Sequence, residues 1–167
     1  SNNEHLLLPP KSLRWLIDTP YISRGILLLF LGKIILSFSS NSTIATNIID
    51  IIIQALLAMA IGAVAYGLKL YKQKASTTWF ALTIIECLVL VLDLVTINAT
   101  DLLFFSLIIA IIEAIVMIIA GFQLKTIYKT GRVHNAGIYT IVYGVAYGCI
   151  MIMMLPSIAI LYSLSDP

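Results

Sequence analysis

ISRGILLLFLGKIILSFSSNSTIATNIIDIIIQALLAMAIGAVAYGLKLY, residues Ile22–Tyr71, is followed after a short polar link by WFALTIIECLVLVLDLVTINATDLLFFSLIIAIIEAIVMIIAGFQLKTIY, residues Trp79–Tyr128. Each stretch is an apolar run, a short polar turn with an Asn-x-Thr sequence, a second apolar run and a Tyr-Lys exit. Displaced by 57 positions, Asn41-Ser42-Thr43 falls on Asn98-Ala99-Thr100, and Tyr71-Lys72 falls on Tyr128-Lys129. Self-similarity at a fixed offset marks a repeated supersecondary unit. An apolar run of about 20 residues is the length of a membrane-spanning helix, so the unit reads as a membrane hairpin.

Working outward, the whole chain of 167 residues is 60% hydrophobic and 11% charged, with a mean hydropathy of +1.04. Soluble domains are about half apolar and a quarter charged. Too few polar residues remain here to cover a water-facing surface. The reading is an all-α, polytopic transmembrane bundle of five spans. They run about Ile22–Ser40, Ile44–Leu70, Thr78–Ile97, Leu102–Ile127 and Ala136–Leu155. Residues 1–21 form an N-terminal arm and interfacial segment, in which 11–17 makes a short helix with Trp15 at headgroup level. Residues 22–167 form the transmembrane domain. Span 5 opens a third copy of the unit that is left incomplete. Pro156 ends the span, and Ile158–Leu164 is either a truncated sixth span or a tail in the interface.

Charge sets the orientation. Lys11, Arg14 and Arg24 precede or open span 1. Lys69, Lys72 and Lys74 lie around the second junction, and Lys125, Lys129 and Arg132 around the fourth, while the opposite turns hold no Lys or Arg. Basic loops stay on the cytoplasmic side, so the N-terminus and basic loops are cytoplasmic, or stromal in an organelle. Asn41 and Asn98 are glycan acceptors if the outside is a eukaryotic lumen, but Asn, Ser and Thr are also ordinary turn formers. Nucleic acid is not an expected partner, because the basic residues serve topology. Cys87 and Cys149 fall inside apolar runs and read as small buried hydrophobes rather than a disulfide.

Arg24-Gly25-Ile26-Leu27, with Gly32 seven residues after Gly25, resembles the opening of an HdeD-type repeat. Gly137 and Gly144 repeat that spacing in span 5, whereas span 3 carries Leu82 and Val89 at the equivalent places. The resemblance implies a small bacterial membrane protein of tandem hairpins linked to acid resistance. It brings no catalytic residues with it.

Ionisable groups at membrane depth are costly and face a protein interior. Lys33 lies about midway along span 1, Asp50 and Gln54 in the outer part of span 2, Glu86 and Asp93 on one face of span 3, and Glu113 in the middle of span 4. Ser106, Ala110 and Glu113 share a stripe. These residues make either a polar seam that passes protons or binds a cation, a set of structural pairs, or contacts to another subunit. In the functional reading Lys33, at the depth of Glu86 and Glu113, holds one carboxylate ionised; in the structural reading Lys33 pairs with one acid of the set and the others are neutral or reach water. In span 5, Tyr139, Tyr143 and Tyr147 line one face beside Gly144-x-x-x-Gly148, a close-packing motif, and the expectation is a packing face within the chain or onto a partner. Ala58, Gly62 and Ala65 make a similar face on span 2.

No His lies at membrane depth for haem, no His/Cys cluster suits zinc, and no Gly-rich phosphate loop or nucleophile elbow is present. No enzyme activity, metal or cofactor is expected, with a bound lipid left open. The expected role is a small accessory or structural subunit of a larger membrane complex, with the bilayer and other subunits or its own copies as partners. The alternative is a small proton or cation transporter, or an acid-tolerance protein, using the intramembrane carboxylates.

Overall fold

The computed structural model describes residues 20–37, 44–70, 73–96, 102–127 and 132–165. Residues 1–19 of the N-terminal arm, both Asn-x-Thr turns and both Tyr-Lys exits lie outside them, while Pro20 and Tyr21, placed in the arm by the sequence reading, belong to the first helix. Among the described residues there are five α-helices: α1 (Pro20–Ser37), α2 (Ile44–Leu70), α3 (Ala75–Thr96), α4 (Leu103–Ile127) and α5 (Arg132–Ser165). Long runs of Leu, Ile, Val and Ala offer the backbone no side-chain partners, so its N–H and C=O groups are satisfied within the helix, as an apolar surrounding demands. Proline opens α1, at the helical position where its missing N–H costs nothing. The turn into α3 is closed by the Gln73 N–H donating to the Leu68 carbonyl at 3.0 Å.

Four segments are long and apolar enough to cross a membrane: Ala45–Leu70, Ala75–Val95, Leu103–Ile127 and Val133–Ile160. They are compatible with an integral, multi-pass membrane protein. The 18 residues of α1 span about 27 Å at 1.5 Å per residue.

One expectation is corrected at the C-terminal end. Pro156 does not end the last helix: α5 runs without interruption through it to Ser165. Proline forfeits one backbone hydrogen bond, yet in apolar surroundings leaving the helix would forfeit more. Ile158–Leu164 is therefore the end of α5 rather than a separate sixth element.

Each helix packs on its neighbours in sequence, and α5 packs back on α1, so the five close into a ring. Consecutive helices joined by short links run antiparallel. With an odd number, the closing pair must run parallel, and the contacts agree. Gln54 of α2 meets Glu86 of α3, each ten residues from the same end of the bundle. Phe30 of α1 meets Tyr143 of α5, both about three turns from the start of their helices. The end where α1, α3 and α5 begin carries Lys69, Lys74 and Lys125 and is called the basic end here. The other is the plain end.

The closest helix approach is between α4 and α5. A Cβ on Gly121 would lie 2.7 Å from the Gly137 carbonyl oxygen and 2.9 Å from the Ile141 nitrogen. Gly144 packs on α4 in the same way, with the Ala114 carbonyl oxygen 3.0 Å from where its Cβ would be. The Gly144/Gly148 face is thus occupied within the chain. On α2, Gly62 faces Thr83 of α3 while Ala58 and Ala65 are buried.

The ring is apolar outside and mixed inside. Leu28, Met59, Ile84, Ile115, Val142 and Met153 are each more than half exposed on the outer wall. The two cysteines also stand there: Cys87 and Cys149 are unpaired and exposed, against the expectation of buried thiols. Toward the basic end the interior is largely apolar, filled by Leu57, Ile61, Leu68, Leu82, Met117 and Leu124, with the buried Thr140 hydroxyl donating to the Ala136 carbonyl. Trp79 plugs the same half, its indole N–H donating to the Ala120 carbonyl at 3.2 Å.

Candidate functional site: a buried polar cluster

The polar side chains that span the ring gather in two layers. In the layer nearer the plain end, the Lys33 ammonium of α1 lies 3.1 Å from an Asp50 carboxylate oxygen of α2 and 3.9 Å from an Asp93 oxygen of α3. Lys33 is buried, while the two aspartates are partly exposed. Lys33 pairs with an acid, Asp50, as the structural reading expects, but it does not lie level with Glu86 and Glu113, and that expectation is corrected here. Lys33 sits four residues from the plain end of α1, and its side chain meets Asp50 and Asp93.

The deeper layer holds Gln54, Glu86 and Glu113, all with no exposed surface. Each is ten residues from the plain end of its helix, or about 15 Å, half the thickness of a bilayer's hydrocarbon core of about 30 Å. The Gln54 amide nitrogen donates both to the Glu86 carboxylate and to the Glu86 backbone carbonyl. This fork fixes α2 against α3 and aims the Glu86 carboxyl at the axis of the ring. The Glu113 carboxyl approaches it from α4, in the same buried layer. Neither Glu113 oxygen has a partner of full hydrogen-bond geometry among the described residues, and one oxygen of Glu86 is likewise unsatisfied. Buried polar atoms without partners are few in folded proteins.

Helix α5 closes the cluster. Tyr143 is buried, its ring stacked on Phe30 of α1 with centroids 4.1 Å apart and planes 11° apart. Tyr147 stacks on Tyr143 at 5.2 Å. The Tyr143 hydroxyl has no hydrogen-bond partner among the described residues. Tyr139, the third tyrosine of the stripe, is only partly buried and takes no part in the stack. Two faces read from the sequence of α5 therefore do different work: the tyrosines fill the ring, and Gly144 and Gly148 seat α5 on α4.

Four carboxyls and a single ammonium share this interior. Fully ionised, they would hold three uncompensated negative charges, which neither a protein interior nor a bilayer tolerates. The cluster must therefore carry protons or a bound cation to be neutral. Among the described residues, no three His, Cys, Asp or Glu side chains are grouped to ligate a metal ion.

A cavity of about 160 Å³ opens between α3, α4 and α5 toward the plain end. Asp93, Ser106, Ala110 and Tyr147 line it, together with Met151, Met154 and Ile158. The buried Ser106 hydroxyl has no partner among the described residues. Nothing in the sequence pointed to this cavity, to the Phe30–Tyr143 stack or to Gly121. The glycine could have been found by pairing it with Gly137 in an antiparallel register.

Comparison with family models, curated proteins and solved structures returns no match.

Proposed function

We propose that this chain is a five-span, non-enzymatic integral membrane protein that binds protons on intramembrane carboxylates and passes them across the bilayer. The basic end lies on the cytoplasmic or stromal side, with the N-terminus, and the two hairpins Ile22–Tyr71 and Trp79–Tyr128 are copies of one unit. The observation that carries the reading is the Glu86–Glu113 pair. Two carboxyls share one buried layer at mid-depth, and the ammonium of Lys33 forms its ion pairs with Asp50 and Asp93 in the neighbouring layer. A pair kept only for packing would be cheaper as two apolar residues. A pair that takes up and releases a proton needs both carboxyls, held in register by a neutral donor, the role Gln54 fills.

The accessory-subunit alternative drew its support from small-residue faces. Those faces on α2 and α5 are engaged by α3 and α4, which leaves the outer wall apolar and suited to lipid. No cofactor is invoked, and the bilayer is the one partner the proposal requires.

The test is proton flux in liposomes read with an internal pH dye. Glu113→Gln and Glu86→Gln should each abolish pH-driven flux in protein that remains folded. Undiminished flux in both removes the reading. A native particle whose mass in detergent exceeds any homo-oligomer would return the accessory-subunit role to the front.

A further inference from the structure

We infer that protons reach the Glu86–Glu113 pair from the plain end only, through the cavity between α3, α4 and α5, with Tyr147 the last side chain before Glu113. The inference rests on the proton-binding reading above and adds a direction to it.

Three observations combine. First, the cavity has polar walls where a path needs them. Asp93 and the buried, unpartnered Ser106 hydroxyl stand at its sides, and Ala110 lies one turn of α4 from Glu113. At about 160 Å³ it has room for several water molecules, each occupying about 30 Å³ in the liquid. Second, Tyr147 lines the cavity and is buried, on the turn of α5 whose Gly144 and Gly148 pack on Ala114, the neighbour of Glu113. A phenol both donates and accepts, so it can hand a proton from cavity to carboxyl without opening the ring. Third, the described interior of the basic half is packed with apolar side chains. A second cavity, lined by Gln73, Lys74, Phe122, Gln123 and Thr126, has Gln123 ten residues along α4 from Glu113, about 15 Å away. Between them stand Trp79, Leu82, Met117, Ala120 and Leu124, all fully buried, which present no donor or acceptor side chain but the Trp79 indole, already engaged by Ala120.

The titratable and polar groups gathered around the pair come from the helices on either side. They are Lys33 from α1 with its partner Asp50, Gln54 from α2, Asp93 from α3 itself, and Tyr143 and Tyr147 from α5. All the charged ones lie on the plain side of Glu86 and Glu113 or level with them. A proton arriving from that side meets Asp93 and the aspartate–lysine layer first. On the basic side of the pair, the buried Trp79 and Thr140 each already donate to a backbone carbonyl, of Ala120 and Ala136.

The experiment uses the full chain in liposomes, with Cys87 and Cys149 replaced by alanine. Ser106→Cys and, separately, Gln123→Cys are titrated with a membrane-impermeant cationic thiol reagent added outside. Each gives the fraction of molecules presenting that end outward. The infrared carboxyl band that vanishes in Glu113→Gln is then followed after an acid step applied outside. The expected result is that the responding fraction equals the fraction labelled at Ser106→Cys, and that Ala110→Trp, which fills the cavity, removes the fast response. A responding fraction equal to that labelled at Gln123→Cys, or a response from all molecules, overturns the inference while leaving proton binding intact. If no carboxyl band is lost in Glu113→Gln, the proton-binding reading fails and takes the inference with it. Should Ala110→Trp fail to fold, Ser106→Leu tests the same opening from α4.

Discussion

Phe30 and Tyr143 stack 4.1 Å apart at the one place where two parallel helices, α1 and α5, meet. This contact closes the ring. Tyr143→Ala should open it, at a cost of about 3–5 kcal/mol, the range for removing a buried aromatic ring. Tyr143→Phe should be near neutral, because the hydroxyl it removes has no partner among the described residues. Thermal unfolding in detergent, followed by intrinsic fluorescence, distinguishes the two, and equal losses from both variants would show that the hydroxyl, not the stack, matters.

Lys33 neutralises part of the aspartate layer. Lys33→Met removes the cation and leaves Asp50 and Asp93 facing one another. The expected loss is about 3 kcal/mol, the low end for breaking a buried pair, since the aspartates are partly exposed. Adding Asp50→Asn and Asp93→Asn to Lys33→Met should recover most of it. Denaturation midpoints in mixed micelles measure both, and a triple variant no better than Lys33→Met alone would count against the pairing.

Gly121 admits no side chain. In Gly121→Ala the new methyl meets the Gly137 carbonyl and the Ile141 backbone, atoms that cannot turn aside. Forced overpacking costs about 1–3 kcal/mol, and Gly121→Val should cost more. The measurement is protease resistance of the α4–α5 hairpin in detergent. Gly25→Ala serves as the control, because a Cβ there meets nothing within 4 Å.

Protons held by the folded cluster make stability depend on pH. If the folded state binds more protons than the unfolded one, stability falls as pH rises, with a slope set by the difference in proton count. Glu113→Gln removes one of the sites, so its slope against pH should be shallower than that of the native chain. Unfolding in detergent across a pH series reads both slopes, and parallel lines would mean that Glu113 holds no proton in excess of the unfolded state.

Much of the architecture was readable in the chain because it depends on local quantities. Run length and apolar content located the helices, and ends such as Ile44, Leu70 and Ile127 agree with the expected spans. Helical periodicity put Glu86 and Asp93 on one face, and both point into the ring. Partner choice was not readable, because it depends on how far each helix is rotated about its axis. Lys33 could not be assigned to Asp50 and Asp93 rather than to Glu86 or Glu113 without knowing that rotation. The return of α5 to α1 is non-local in the same sense. Pro156 misled for a different reason: its rule is calibrated in water, where a broken helix is repaired by solvent.

Pro156 also has a mechanical consequence. Lacking an N–H, it leaves the Ile152 carbonyl without its usual intrahelical donor, so the bending stiffness of α5 is lowest at that joint. Met154 and Ile158, on either side of the joint, both line the cavity that Asp93 also lines. Bending of the last turns of α5 at that joint would therefore change the width of the cavity.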